Sequence, residues 1–104
     1  MYKILLACSA GMSTSLLVTK MREVAEQKGI EAEIEAMSAD NAFKVLNKYD
    51  VLLIGPQMRF MKKKFVKAAS DEGIELPIES IDPMSYGRID GEGVLNQAIK
   101  LTGK

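Results

Sequence analysis

The sequence has no histidine, which removes the commonest general base at neutral pH and the commonest metal ligand. Because Cys8 is the single cysteine, the chain can form no internal disulfide and no cysteine–histidine metal site. Net charge is also absent, since 14 Lys and Arg residues balance 14 Asp and Glu residues. A chain without net positive charge has no overall electrostatic attraction to nucleic acid. We expect neither a metal nor another cofactor, and no nucleic-acid partner.

Long apolar segments are missing too, and none approaches the roughly 20 residues that a membrane-spanning helix needs. The N-terminal segment Met1–Ala7 fits a short strand and leaves no room for a signal peptide. The 104 residues are 47% hydrophobic and 27% charged, which is typical of one globular domain with one core. We expect a single domain over residues 1–104, located in the cytoplasm without insertion into the membrane, with its thiol reduced.

Apolar runs and turn residues alternate along the chain in a regular order. Short apolar or alternating runs predict four strands: Tyr2–Ala7, Ala32–Met37, Val51–Ile54 and Leu76–Ile81. Apolar residues at helical spacing predict a helix after each strand: Thr14 to Gly29, Ala39–Tyr49, Met58 to Gly73, and around Val94–Ile99. This order requires an α/β fold with a four-stranded parallel sheet and helices on both faces. Ligands of such folds bind at the carboxyl ends of the strands, near the point where the strand order reverses.

Cys8 directly follows the first predicted strand and opens a loop of small and hydroxyl-bearing residues. Small residues let the backbone curl so that successive N–H groups point inward, and the helix that follows presents free amides and a positive dipole end. Both features favour a bound phosphate, and the same field favours the thiolate of Cys8 over the thiol. We therefore interpret Cys8 as a nucleophile that becomes phosphorylated within a phosphate-binding loop. The loop residues are Ser9, Ala10, Gly11, Met12, Ser13, Thr14 and Ser15.

A second interpretation makes Cys8 a small buried residue that ends a strand, with serines that only cap the helix. The composition of the loop leads us to favour the phosphocysteine. A nucleotide site is disfavoured, because the chain has neither a G-x-G-x-x-G nor a Gly-Lys-Ser/Thr element.

The expected fold and the loop both resemble those of the low-molecular-weight tyrosine phosphatases, in whose loop an arginine and a serine follow the cysteine after five residues. Here Thr14 stands at the arginine position and Ser15 at the serine position. Without the arginine, the bidentate clamp on the phosphoryl transition state is lost, which argues against hydrolysis. Asp82-Pro83 resembles the acid loop of the same phosphatases, so Asp82 is a candidate proton donor. A phosphatase-like hydrolase and a regulatory module that senses phosphorylation remain alternatives.

Nearly the whole chain resembles the cellobiose/lactose (chitobiose) type EIIB components of the bacterial sugar phosphotransferase system. The resemblance lies in the segment from Cys8 to Leu17, in Gly55-Pro56-Gln57, and in Tyr86-Gly87, Asp90-Gly91 and Gly93-Val94-Leu95. It implies that Cys8 is phosphorylated by a phosphohistidine of the EIIA component. It also implies that Cys8 passes the group to a sugar, expected to be a β-linked disaccharide, imported by the membrane component EIIC. The chain's lack of histidine is consistent with this, because the donor imidazole belongs to the partner.

Two further side chains are candidate auxiliary residues of the site. Gln57 follows the third strand and either donates to a phosphate oxygen or only starts a helix. Tyr86 either lines the site through its hydroxyl or packs across the last loop, and we favour packing. The glycines at positions 87, 91 and 93 are expected to form a tight turn before the final helix.

Basic residues crowd the third predicted helix beside the aromatic residue Phe60. Charge runs usually mark a solvated helix face, which is the interpretation that we favour. The other interpretation is a docking patch for an acidic partner, with Phe60 as an exposed anchor. The basic residues are Arg59, Lys62, Lys63, Lys64 and Lys67.

Overall fold

A computed structural model of the protein describes residues 1–8 and 12–103. Its strands are β1 (Tyr2–Cys8), β2 (Ala32–Ser38), β3 (Val51–Ile54) and β4 (Ile78–Ser80). Its α-helices are α1 (Met12–Gln27), α2 (Ala39–Phe43), α3 (Lys62–Asp71), α4 (Pro83–Gly87) and α5 (Gly91–Thr102). Two 3₁₀ segments, Leu46–Lys48 and Pro56–Met61, stand before β3 and before α3.

The strands form one parallel sheet in the order β2-β1-β3-β4, which confirms the predicted four-stranded sheet. The chain moves outward from β1 to β2 in one direction and from β3 to β4 in the other, so the strand order reverses between β1 and β3. The carboxyl ends of β1 and β3 therefore bound the position where folds of this kind bind ligands. Cys8 is the last residue of β1 and pairs with Ser38 of β2, while Ala7 pairs with Ile54 at the end of β3.

Each face of the sheet has its own core, because successive residues of a strand point to opposite sides. Helices α1 and α5 cover one face and bury the side chains of Ile4, Leu6, Leu53, Leu17, Met21, Val94 and Leu95. On the other face, α2, α3 and the 3₁₀ segments bury those of Leu5, Leu52, Ile54, Ala42, Leu46 and Phe65. The predicted placement of helices on both faces is confirmed.

Gly91 permits a close contact between α5 and α1. A Cβ atom at this position would lie 2.6 Å from the backbone carbonyl carbon of Lys20 and 2.7 Å from its Cβ, closer than carbon atoms can approach. Gly91 and Gly93 both lie in the first turn of α5, where the side chain of Asp90 accepts a hydrogen bond from the amide of Gly93 at 3.0 Å. The expected tight turn at these two glycines is wrong, because the helix already begins there.

Two predicted helices are broken up in the structure. The segment predicted as one helix over Ala39–Tyr49 forms the five-residue α2 and then a 3₁₀ segment. Its turns tighten, since the amides of Lys44 and Val45 bond to carbonyls three residues back. The third predicted helix is 3₁₀ over Pro56–Met61, with a non-helical backbone at Met58, and becomes α-helical only from Lys62.

The short helix α4 lies between the fourth predicted strand and the last predicted helix, where the sequence pattern predicted no helix. Asp82 caps it by accepting a hydrogen bond from the amide of Ser85 at 3.2 Å, and proline occupies the first turn. At its other end the amide of Ile89 bonds to the carbonyl of Tyr86 and the amide of Asp90 to that of Ser85. This Schellman pattern places Ile89 at φ 52°, a left-handed conformation that usually belongs to glycine. Helix α4 is therefore fixed at both ends.

Candidate functional site

Cys8 lies at the carboxyl end of the sheet on one of its two inner strands. The residue is only 6% exposed, and its Sγ donates a weak hydrogen bond to the carbonyl oxygen of Met37 at 3.8 Å on the neighbouring strand. Of the predicted phosphate-binding loop, Ser9, Ala10 and Gly11 lie outside the described residues. Cys8 thus ends a strand that is buried from Ile4 onward, four positions before α1 begins.

The remaining loop residues belong to the first turn of α1, which begins at Met12 rather than at the predicted Thr14. The first backbone N–H groups of a helix have no hydrogen-bond partner within the helix. In this protein they are the N–H groups of the first turn of α1, directly after the loop. Ser15 is exposed, and its carbonyl accepts a hydrogen bond from the hydroxyl of Thr19 at 3.2 Å. Thr14 is 2% exposed, the most deeply buried polar side chain of the described residues. The residue at the phosphatase arginine position is therefore turned inward.

Thr14, Gln57 and Tyr86 form a hydrogen-bonded group that we call the hydroxyl cluster. The hydroxyl Oη of Tyr86 lies 3.1 Å from Oγ1 of Thr14, and Nε2 of Gln57 donates to Oη at 3.3 Å. These residues come from the segments that follow β1, β3 and β4, so the cluster joins three strand ends. Tyr86 also packs against the core beneath α1 and α5. The packing that we favoured for Tyr86 is present, but its hydroxyl has a partner in the predicted loop as well.

Asp82 uses its carboxylate to cap α4 rather than to reach the hydroxyl cluster. Its Oδ2 accepts hydrogen bonds from the amide of Ser85 at 3.2 Å and from the Ser85 hydroxyl at 3.0 Å. Its own amide donates to Oε1 of Gln97 at 3.0 Å, and the Gln97 amide group donates to the carbonyl of Ser80. The structure therefore gives the candidate proton donor a clear structural role.

The basic residues near α3 divide into one paired lysine and several that face solvent. Nζ of Lys62 lies 3.1 Å from Oε1 of Glu79 on β4. The hydrogen bond from Lys62, together with one from the backbone amide of Ser80, lowers the pKa of the Glu79 carboxyl. Lys62 is thus paired with a carboxylate on β4, the edge strand of the sheet. The exposed basic residues are Arg59, Lys63, Lys64 and Lys67.

Large apolar side chains are exposed on the segments that follow β1, β3 and β4, and Val66 within α3 is exposed as well. Leu16 in α1 is 46% exposed, Phe60 after β3 is 70% exposed, and Met84 in α4 is 62% exposed. Sequence reasoning singled out Phe60 as an exposed anchor but not Leu16, because Leu16 stands beside Leu17 in what reads as a core stripe.

Among residues 1–8 and 12–103, no group of three or more His, Cys, Asp or Glu side chains is arranged to hold a metal ion. Within that part of the chain, every helix is too short or too polar to cross a bilayer.

Comparison with known proteins gives a consistent answer over almost the full chain. Residues 3–97 match the family described as PTS system, lactose/cellobiose-specific IIB subunit. The oligo-beta-mannoside-specific EIIB component of Bacillus subtilis is 52% identical over 101 residues, covering 97% of this chain and 96% of the relative. The galactose-specific EIIB component of Lactococcus lactis is 44% identical, covering 94% of each chain.

A solved structure supports the same relationship. The solution structure of a cellobiose-specific IIB component from Borrelia burgdorferi is 42% identical and superposes with a TM-score of 0.79. The match covers 98% of this chain and 92% of the Borrelia chain. IIB domains share the fold of the low-molecular-weight phosphatases, so the expected fold is confirmed. The chain belongs to the lactose/cellobiose-specific IIB family of the sugar phosphotransferase system, whose members are phosphotransferases.

Proposed function

We propose that Cys8 is the residue that carries the phosphoryl group. It accepts the group from a phosphohistidine of an EIIA component and passes it to a sugar imported by the membrane component EIIC. The observation that carries this proposal is the position of the cysteine, which ends β1 at the reversal of strand order and precedes the first turn of α1. Because the chain contains no histidine, the donor imidazole must come from another protein.

In the first step the Cys8 thiolate attacks phosphorus in line with the bond to the histidine nitrogen. The S–P bond forms as the N–P bond breaks, and the imidazole nitrogen keeps the electron pair. In the second step a sugar hydroxyl attacks the same phosphorus, releases its proton, and forms an O–P bond. The sulfur then leaves with its electron pair as a thiolate, which regenerates the carrier.

The inward orientation of Thr14 supports transfer over hydrolysis. At this position a phosphatase-like loop places an arginine, whereas here a buried hydroxyl bonds to Tyr86. The carboxylate of Asp82 caps α4, so the second component of the hydrolytic machinery has another role. Without an arginine clamp, stabilisation of the phosphoryl group depends on backbone amides. A moderate cradle of this kind leaves the S–P bond reactive toward the next acceptor.

We propose a β-linked disaccharide as the sugar that receives the phosphoryl group. The Bacillus subtilis relative is named for oligo-beta-mannosides and the Borrelia burgdorferi structure for cellobiose, which are β-linked sugars. The Lactococcus lactis relative at 44% identity is named for galactose, so close relatives serve different sugars. Specificity is expected to lie in the membrane component that binds the sugar.

The two partners are proposed to dock at the carboxyl end of the sheet. Leu16, Phe60 and Met84 supply exposed apolar surface on three segments that follow strands, and large apolar side chains of this kind can anchor a partner protein. Exposed basic residues next to Phe60 favour a partner with acidic residues around its phosphohistidine.

Mass spectrometry after exposure to a phosphorylated lactose/cellobiose-type EIIA component tests the proposal. One phosphoryl adduct is expected on the protein, lost in Cys8→Ala and retained in the matched surface variant Ser70→Ala. Release of free phosphate over many turnovers from p-nitrophenyl phosphate would instead favour a phosphatase-like hydrolase. A stable adduct that fails to support sugar phosphorylation with EIIC-containing membranes would favour a regulatory module. Absence of any adduct on Cys8 would refute the proposal.

A further inference from the structure

Tyr86 occupies an unusual position, because its hydroxyl is the shared atom of the hydroxyl cluster. Thr14 on one side belongs to the first turn of α1, and Gln57 on the other belongs to the 3₁₀ segment after β3. Thr14 and Tyr86 are 72 positions apart in the sequence. A single phenol oxygen therefore connects the turn that follows the Cys8 loop to the two strand ends on the other side of the site.

The helix that carries Tyr86 is anchored independently of that loop. Asp82 caps its start, and the Schellman hydrogen bonds at its end hold Ile89 in a left-handed conformation. The tyrosine ring also packs against the core beneath α1 and α5. Because hydrogen bonds at both of its ends fix α4, Tyr86 can determine the position of the first turn of α1 instead of moving with that turn.

Because Thr14 is buried, loss of its hydrogen bond to Tyr86 would disturb the backbone around Thr14. The hydroxyl of a residue that is only 2% exposed has little access to water, so loss of its partner leaves it unsatisfied unless the backbone around it moves. The backbone that would move is the first turn of α1. The amides of this turn are those that the proposed function assigns to the phosphoryl group.

We propose that Tyr86 is a positioning residue for phosphoryl transfer at Cys8. Its hydroxyl, supported by the hydrogen bond from Gln57, holds Thr14 so that the first amides of α1 face the sulfur and its phosphoryl group. This inference rests on the proposed function of Cys8. Tyr86 acts through Thr14 and takes no part in bond making, so removal of its hydroxyl changes a rate and a pH profile more than it changes the fold.

The test uses Tyr86→Phe, Thr14→Val and the double variant, with Tyr49→Phe as the matched control. Tyr49 lies before the start of β3, at the opposite end of that strand from the cluster. We measure single-turnover phosphorylation of Cys8 by a phosphorylated EIIA component, and the pH dependence of Cys8 alkylation by iodoacetamide. Each single variant is expected to slow phosphorylation about tenfold, the factor associated with one buried hydroxyl hydrogen bond. The alkylation profile of Cys8 is expected to differ from that of the wild type, because the first amides of α1 would no longer be held facing the sulfur.

Coupling between the two residues separates positioning from simple stabilisation. If Tyr86 acts through Thr14, the double variant is no slower than the slower single variant, and Thr14→Ser keeps a rate within about twofold of the wild type. A purely structural role would lower the melting temperature but leave the rate per folded molecule and the alkylation profile unchanged.

The outcomes distinguish this inference from the proposed function. If the wild-type protein never acquires a phosphoryl group on Cys8, the proposed function fails, and the alkylation profile still decides whether Tyr86 positions the turn near the sulfur. If the wild type is phosphorylated and Tyr86→Phe matches it in both rate and alkylation profile, the positioning role is refuted. Additive effects in the double variant would refute the path through Thr14.

Discussion

Replacement of Gly91 by alanine should weaken the contact between α1 and α5. The new methyl group would lie 2.6 Å from the carbonyl carbon of Lys20 and 2.8 Å from its carbonyl oxygen, so backbone rather than a flexible side chain obstructs it. Forced insertion of a methylene-sized group into a close-packed contact costs about 1–3 kcal/mol. A gain from the better helix propensity of alanine offsets up to about 1 kcal/mol of this.

We therefore expect Gly91→Ala to lower the free energy of unfolding by about 1–2 kcal/mol, and the melting temperature by roughly 4–16 °C for a domain of this size. Urea unfolding followed by circular dichroism measures the first quantity, and a thermal scan the second. Gly87→Ala is the matched control, because its Cβ would meet nothing within 4 Å and its φ is not positive. The control should be neutral or stabilising by about 0.4–1 kcal/mol. Equal stability of Gly91→Ala and the wild type would refute the reasoning.

Three further predictions concern charged residues. The double variant Lys63→Glu and Lys64→Glu should slow phosphorylation by EIIA about tenfold at low ionic strength and less in salt, and an unchanged low-salt rate would argue against a basic docking surface. Asp82→Ala should cost about 1 kcal/mol of unfolding free energy as a lost helix cap, and should slow Cys8 phosphorylation no more than the loss of the Tyr86 hydroxyl does, so abolished transfer would instead indicate a chemical role. Because Lys62 and the Ser80 amide lower the pKa of Glu79, the stability from this pair is fully present above the ordinary value of 4.5 and is lost as pH falls through the lowered one. In Glu79→Gln, unfolding free energy measured against pH should be flatter over that acidic range, and an unchanged profile would contradict the assignment.

The parts of the fold that sequence reasoning predicted well are those buried on both sides. The run Val51–Ile54 is fully buried in the structure, and the predicted strand has the observed bounds. Its neighbour Tyr2–Ala7 was predicted one residue short of β1. Residues between two helical layers must be apolar at every position, which leaves an unbroken pattern in the sequence.

Prediction was weaker where short elements lack such a pattern. The edge strand β4 pairs over Ile78–Ser80, although Leu76–Ile81 was expected, because only one neighbouring strand orders it. Helix α4 has five residues and no buried side chain, so the sequence has no apolar residues at helical spacing that would predict it. A local signal was nevertheless available in Asp82-Pro83, which suits the cap and first position of a helix.

The candidate site shows the same division between local and long-range information. The position of Cys8 at the end of β1 follows from local pattern, since it comes directly after an apolar run. The hydrogen bond between Thr14 and Tyr86 does not follow from local pattern. It depends on how α4, which begins at Pro83, packs against α1, which begins 71 positions earlier at Met12. Sequence reasoning could nominate both residues but could not predict that they touch.

The placement of Cys8 on an inner strand has a consequence for the order of events during transport. Since Cys8 pairs with Ser38 of β2 and the preceding Ala7 pairs with Ile54 of β3, the backbone at the end of β1 is held in the sheet and cannot swing outward toward one partner and then another. Under the proposed transfer, donor and acceptor must approach the same carboxyl end of the sheet, and their binding is mutually exclusive. The first protein must dissociate before the second can arrive, so the lifetime of the thiophosphate must outlast that exchange.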